Sequence, residues 1–229
     1  LHFKRPAGTS RGVYNTRKSW FVEIEDSERP GCKGVGECAP LPDLSCDARP
    51  EYEKTLESIC RMIELTGNVN YDMLRPYPSI LFGIETAMTD LQNGGKGILF
   101  DITINGLVWM GSHDEMLARL EAKMQAGFHC VKLKIGAIEF DSELDLIRHI
   151  RQAFTKEQIE LRVDANGGFT FEDAPSRLEQ LARYDIHSIE QPIRQHQWAR
   201  MAQLCASSPI PIALDEELIG VNMPGMKQE

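Results

Sequence analysis

Long apolar runs are scarce in this chain. The longest, Ile98 to Met110, is broken by Asp101, Thr103 and Asn105, and nothing approaches the roughly 20 apolar residues of a spanning helix. The amino-terminal residues Leu-His-Phe-Lys-Arg-Pro-Ala-Gly carry no apolar signal region. A basic surplus is also missing: 25 Lys and Arg stand against 34 Asp and Glu. A general nucleic-acid binder needs a basic face to neutralise phosphates, and adhesion to anionic lipid needs the same, so neither partner is expected. The six cysteines include no CxxC pair, which argues against a zinc site and for reduced thiols in the cytoplasm. No Walker pattern occurs: the glycines at 95 and 97 flank a lysine, and Gly167 and Gly168 follow an Asn, without the phosphate-loop spacing. Low-complexity segments and sequence repeats are absent too. What remains is an acidic globular chain of 229 residues, long enough for one large domain or two small ones.

The periodicity divides the chain. Over residues 1–96 it reads as α+β. Trp20 to Glu25 alternates apolar and polar, and a short strand surrounds Gly34 to Cys38. Helical stripes run over Glu51–Leu65 and Ser79–Leu91. From 97 to 229 strand and helix patterns alternate. Strands are predicted at Ile98–Ile104, Cys130–Ile135, Glu160–Asp164, His187–Glu190 and Ile210–Leu214. Helices are predicted from a Ser112-x-x-Glu115 capping box, over Leu144–Ile150, from Thr170–Asp173 with Pro175 in the first turn, and around Ala199–Leu204. Five strands joined by helices predict a parallel α/β sheet, with a (β/α) barrel as the leading architecture.

The chemistry stands at the ends of these strands. Side chains alternate along a strand, so Lys132 and Lys134 share one face of Val131–Ile135, and Arg162 and Asp164 share one face of Leu161–Asp164. Glu190 and Asp215 end the next two strands. Lys134, Asp164, Glu190 and Asp215 are separated by 30, 26 and 25 residues, each about one strand–helix unit. They therefore occupy equivalent places at the carboxyl-terminal ends, where barrel enzymes build their sites. Three carboxylates crowded together repel one another. A hard divalent cation removes that cost, and all-oxygen ligation suits Mg²⁺. A lysine pair beside such a metal points to a base, its charged form disfavoured by the second lysine and by the metal. The matching substrate is a small-molecule carboxylate that loses its α-proton. Taken one at a time these residues have ordinary explanations: a solvated KxK, an Asp capping a helix, a strand-end ion pair at Glu190, a surface acidic run at 215–217. Taken together, in phase and at one-unit spacing, those explanations need four coincidences.

The strings VKLKIG, RVDANGGF, IEQPI and IALDEEL resemble the enolase superfamily in its muconate-lactonizing subgroup. The upstream strings FKRPAGTSRG and GVGECAPLPDLS resemble the o-succinylbenzoate synthase family. The resemblance implies an enolase-type barrel behind an α+β capping domain whose loops close over the barrel mouth. It implies Asp164, Glu190 and Asp215 as Mg²⁺ ligands, Lys134 as general acid/base and Lys132 as its partner, the lysine-and-metal pattern of that superfamily. Ser10 and Arg11 become candidate substrate contacts in a capping-domain loop, and Arg162 a third. The implied activity is dehydration in menaquinone biosynthesis. Dipeptide epimerase or N-acylamino acid racemase would use the same lysines and metal, and a non-catalytic metal-binding partial barrel is the reading from another class. The family carries a further lysine on the next strand, so the native protein is expected to continue past Glu229 by about 80 residues or more, at some 25–30 per missing unit. No oligomeric state follows.

Overall fold

A computed structural model describes residues 1–9, 12–97, 101–109, 112–136 and 138–227. Its chain forms two compact units, one of Leu1–Asp101 with Ile219–Glu229 and one of Ile102–Leu218. The carboxyl-terminal segment thus groups with the first unit rather than with the parallel strands. Within that unit, the Asn222 amide donates to Cys46 Sγ at 3.8 Å. All six cysteines are free thiols. Among the described residues no helix is long and apolar enough to cross a membrane.

The first unit contains two antiparallel hairpins. β1 (His2–Thr9) pairs with β2 (Gly12–Thr16), a hairpin whose sequence alternates too weakly to announce itself. β3 (Trp20–Glu25) pairs with β4 (Lys33–Cys38), from Trp20 opposite Cys38 to Glu25 opposite Lys33. Three helices follow: α1 (Tyr52–Thr66), the single turn α2 (Tyr71–Leu74) and α3 (Pro78–Gln92). β4 lies directly on α3 because both lack side chains where they meet. A Cβ on Gly34 would overlap the Ala87 carbonyl, and one on Gly36 the Gly83 carbonyl. Buried Asp47 fixes the start of α3, accepting from Ser79 N at 2.9 Å and Ser79 Oγ at 2.6 Å. The core gathers Val22, Cys38, Tyr52, Leu56, Leu74, Ile80 and Ile84.

The second unit is a five-stranded parallel sheet with its strands in sequence order: β5 (Gly106–Val108), β6 (Cys130–Lys134), β7 (Glu160–Asp164), β8 (Ile186–Glu190) and β9 (Ile212–Ala213). Consecutive order without reversal is the singly wound arrangement of a barrel wall, unlike a doubly wound sheet. The connecting helices are α4 (His113–Gln125), α5 (Phe140–Ala153), α6 (Ala174–Leu181) and α7 (Trp198–Ser207). The predicted capping box is formed: Ser112 accepts from Glu115 N, and the Glu115 carboxylate accepts from Ser112 N. Val131, Leu133, Leu161, Val163 and Ile189 are buried in one core with Leu120, Ile147, Ile150, Leu178 and Leu204 of the helices.

Two strands differ from the periodicity by more than one residue. Ile98 to Phe100 lie outside the described residues, while Asp101 to Asn105 form no ladder and leave Ile102 and Ile104 exposed. The strand starts at Gly106, opposite Val131. A Cβ at Gly106 would press on Lys123 and Phe128 at 3.2 Å, so the chain enters the sheet where it has no side chain. At the other end β9 shrinks to two residues. Pro211 has no N–H to donate, although its carbonyl still accepts from Ile189 N at 2.9 Å, and Leu214 is exposed rather than packed on a helix.

Candidate active site

Register places the charged residues. Lys134 stands opposite Asp164, Asp164 opposite Glu190, and Glu190 opposite Ala213. Directly opposed residues in a parallel sheet point to the same face, so Lys134, Asp164 and Glu190 form one layer at the carboxyl-terminal ends of β6, β7 and β8. Asp215 lies two residues beyond Ala213, just past β9. Lys132 starts one layer lower, opposite Arg162, and its long side chain reaches upward.

The lysines and carboxylates meet in one network. The Lys132 ammonium lies 2.8 Å from Glu190 Oε2, 2.9 Å from Oε1 and 3.0 Å from Asp164 Oδ2. The Lys134 ammonium lies 2.5 Å from the same Asp164 oxygen and donates to Asn166 Oδ1 at 2.8 Å. Asp164 is fully buried and also accepts from Asn166 N at 2.9 Å. Burial pushes its carboxyl up, but the hydrogen bonds and charges of Lys134 and Lys132 outweigh that and hold it below the ordinary Asp value. Glu190 goes the other way: burial and the Asp164 charge raise it above the usual range despite Lys132. Asp215 is raised as well, first by desolvation of its carboxyl and then by the charges of Glu216 and Asp164. Burial alone would lower Lys132, yet the surrounding carboxylates together hold it above the ordinary lysine value.

Arg162 does not join the network. Its guanidinium turns to Glu160 at the start of β7, at 2.6–2.7 Å. Ser10 and Arg11 lie outside the described residues.

Three further residues complete the site, and sequence reasoning had assigned a role to none of them. Asn166 sits two residues past Asp164 with φ +44°, in the left-handed region that Asn tolerates. It links Lys134 to Glu216, donating through Nδ2 to Glu216 Oε1 at 3.2 Å. Two members of the acidic run are buried, Glu216 at 4% and Glu217 at 1% exposure, while Asp215 at its head is exposed. Glu217 accepts from His196 N at 2.9 Å and from Gln191 Nε2 at 3.1 Å. A signal for Asn166 existed, since it stands on the same alternation as Arg162 and Asp164.

Close backbone approach holds the strand ends together. Gly168 packs so that a Cβ would meet Ala165 O and Gly136 O at 2.9 Å, and Gly167, with φ +72°, faces Arg194 Cα at 3.0 Å. These glycines bring together the loops that follow Lys134, Asp164 and Glu190.

Among the described residues no three His, Cys, Asp or Glu groups stand as a ready metal cluster; the Lys132 ammonium bridges Asp164 and Glu190. The donor set nevertheless fits a hard divalent cation. It is all oxygen, on adjacent strand ends. Two of its carboxylates are raised by desolvation and by neighbouring carboxylate charge, a cost such a cation removes, and among the described residues buried Glu216 Oε2 has no hydrogen-bond partner.

With this geometry in place, comparison with known proteins is decisive. Residues 115–223 match the family described as Enolase C-terminal domain-like, and residues 10–91 match the family described as MenC, N-terminal domain. The o-succinylbenzoate synthase of Desulfotalea psychrophila is 40% identical over 96% of this chain and 70% of its own length. This chain belongs to the o-succinylbenzoate synthase family of the enolase superfamily. The crystal structure of MenC from the same organism superposes with a TM-score of 0.77 at 35% identity, over 94% of this chain and 71% of the other. The synthase of Thermosynechococcus elongatus BP-1, solved with Mg in its active site, superposes at 0.71 and 26% identity, over 93% of this chain and 65% of the other. The chain therefore spans about two thirds of the length of these relatives, and its parallel sheet is part of an enolase-superfamily barrel.

Proposed function

We propose that the protein is a Mg²⁺-dependent dehydratase of the o-succinylbenzoate synthase type, acting in the cytoplasm in menaquinone biosynthesis on a small-molecule carboxylate. The observation that carries this is the convergence of Lys132 and Lys134 on the carboxylates of Asp164 and Glu190, with Asp215 one step beyond, at the carboxyl-terminal ends of adjacent parallel strands.

Asp164, Glu190 and Asp215 would hold the ion. Magnesium, when bound there, supplies the positive charge that stabilises a substrate carboxylate as it takes up the electron pair of a breaking C–H bond. Lys134 removes the α-proton. Its distances to Asp164 and Asn166 fix the amine at the strand end. Lys132 stays an ammonium, since carboxylates on two strands surround it, and it adds fixed positive charge beneath the reacting group. Lys134, now carrying the proton, returns it to the β-hydroxyl. The C–O bond breaks, water leaves and the ring becomes aromatic. One lysine thus serves both half-steps.

The purified full-length protein should be offered the succinyl-cyclohexadiene carboxylate and, in D₂O, an Ala-Glu dipeptide. Ultraviolet absorbance of the aromatic product on the first, with no deuterium in the second, is expected. Deuterium in the dipeptide without aromatic product would replace the dehydratase with an epimerase. Neither, with magnesium bound, would leave a metal-binding barrel without this chemistry.

A further inference from the structure

The end of β8 carries a side chain that the proposed chemistry does not use. Gln191 is fully buried and has φ +40°, a region that costs a non-glycine residue conformational energy. Such strain persists where surrounding contacts over-determine it, and here they do. Gln191 Oε1 accepts from Asp215 N at 3.1 Å and Glu217 N at 3.2 Å. Its Nε2 donates to Ile193 O at 3.0 Å and to Glu217 Oε2 at 3.1 Å. Two lone pairs and two N–H groups are all a carboxamide has, so every one is used. The partners also fix which end is oxygen, because the reverse would set NH₂ against two backbone N–H groups. The Gln191 backbone is tied as firmly: its N–H donates to Ala213 O at 2.9 Å, and its carbonyl accepts from Gly167 N at 2.7 Å. One residue therefore joins the loop after β7, the end of β8 and the turn after β9.

From these contacts we infer that Gln191 is a positioning residue, a clamp that sets the place of Asp215 by holding the Asp215–Glu217 turn against the end of β8. The inference rests on the reading of Asp164, Glu190 and Asp215 as magnesium ligands. Glu190 precedes Gln191 directly, and Asp164 lies three residues before Gly167, so the same side chain references all three strand ends to one another. Glu217 is the other jaw of the clamp. Its second oxygen, on His196 N, anchors the turn to the loop before α7.

An exchange of the two side chains tests this. Gln191→Glu keeps both acceptor bonds to the turn but sets a carboxylate against Glu217 and Ile193 O. Glu217→Gln in that background restores a donor between the two side chains and keeps the acceptor for His196 N. Magnesium affinity should be measured by calorimetry and amide exchange by residue-resolved NMR, with the fold checked by circular dichroism. Q191E should bind magnesium at least about ten-fold more weakly, as supporting residues around metals do, and the Asp215 and Glu217 amides should exchange faster. The double variant Q191E/E217Q should recover most of both losses. A folded Q191E with wild-type affinity and protection overturns the clamp, as does a double variant that recovers neither. If Q191E does not fold, the double variant decides alone: affinity within about five-fold of wild type supports the clamp, and a loss beyond about a hundred-fold overturns it. A wild-type protein that binds no magnesium would fail the ligand reading instead, and amide exchange would still decide the clamp.

Discussion

Gly168→Ala tests whether close backbone contact holds the lysine and carboxylate strand ends together. The new methyl would meet Ala165 O and Gly136 O at 2.9 Å and Gly136 Cα at 3.0 Å. All three are backbone atoms, so no flexible side chain can swing aside. Overpacking of this kind costs about 1–3 kcal/mol, which in a chain of this size lowers the melting temperature by about 2–12 °C. The strain falls on Gly136, two residues past Lys134, and on Ala165, next to Asp164, so turnover should fall beyond what stability explains. Gly225→Ala is the control: among the described residues nothing lies within 4 Å of its would-be Cβ, and losing a glycine there should be neutral or stabilise by up to about 1 kcal/mol. Melting followed by circular dichroism compares the two. Equal melting temperatures and equal activity would refute the packing argument.

Asp47→Ala removes the acceptor for both Ser79 N and Ser79 Oγ at the start of α3 and should cost about 1–3 kcal/mol; a melt unchanged from wild type would contradict it. Cys38 should resist thiol reagents in the native state. Burial, with help from the charges of Cys60, Asp47 and Glu37, pushes its thiol up to about 12, so at pH 8 only about one molecule in 10⁴ carries the reactive thiolate. Labelling by a disulfide reagent should reach exposed Cys205 first and Cys38 only on unfolding, and equal rates would refute the burial. Asp164→Asn should weaken magnesium binding by more than the roughly 10–100-fold typical of a supporting residue; equal affinity by calorimetry would remove Asp164 from the ligand set.

The parallel strands were legible because burial enforces a pattern. β7 matches its predicted bounds, since Leu161 and Val163 must face the helices while Arg162 and Asp164 cannot. The common layer of Lys134, Asp164 and Glu190 followed from strand-helix spacing alone. What escaped was held by contacts with no period. β5 begins at a glycine chosen by Phe128 and Lys123, and β1 pairs with β2 without a strong alternation. Gln191 and Glu217 are polar residues buried by each other, and a run of three acidic residues looks solvated until the turn that separates them is known. Asn166 was within reach, because a polar residue two beyond Asp164 continues the same face.

The central claim is that Lys134 moves the proton in both half-steps, and Lys134→Ala in the full-length protein tests it most directly. Among the described residues its side chain makes polar contacts with Asp164 and Asn166 alone, so the variant should fold and should still bind magnesium. Its rate of aromatic product formation from the succinyl-cyclohexadiene carboxylate should fall further than the ~10²–10⁴ typical of one general acid/base group. A folded, magnesium-bound Lys134→Ala protein that keeps more than about a hundredth of the wild-type rate would contradict the account.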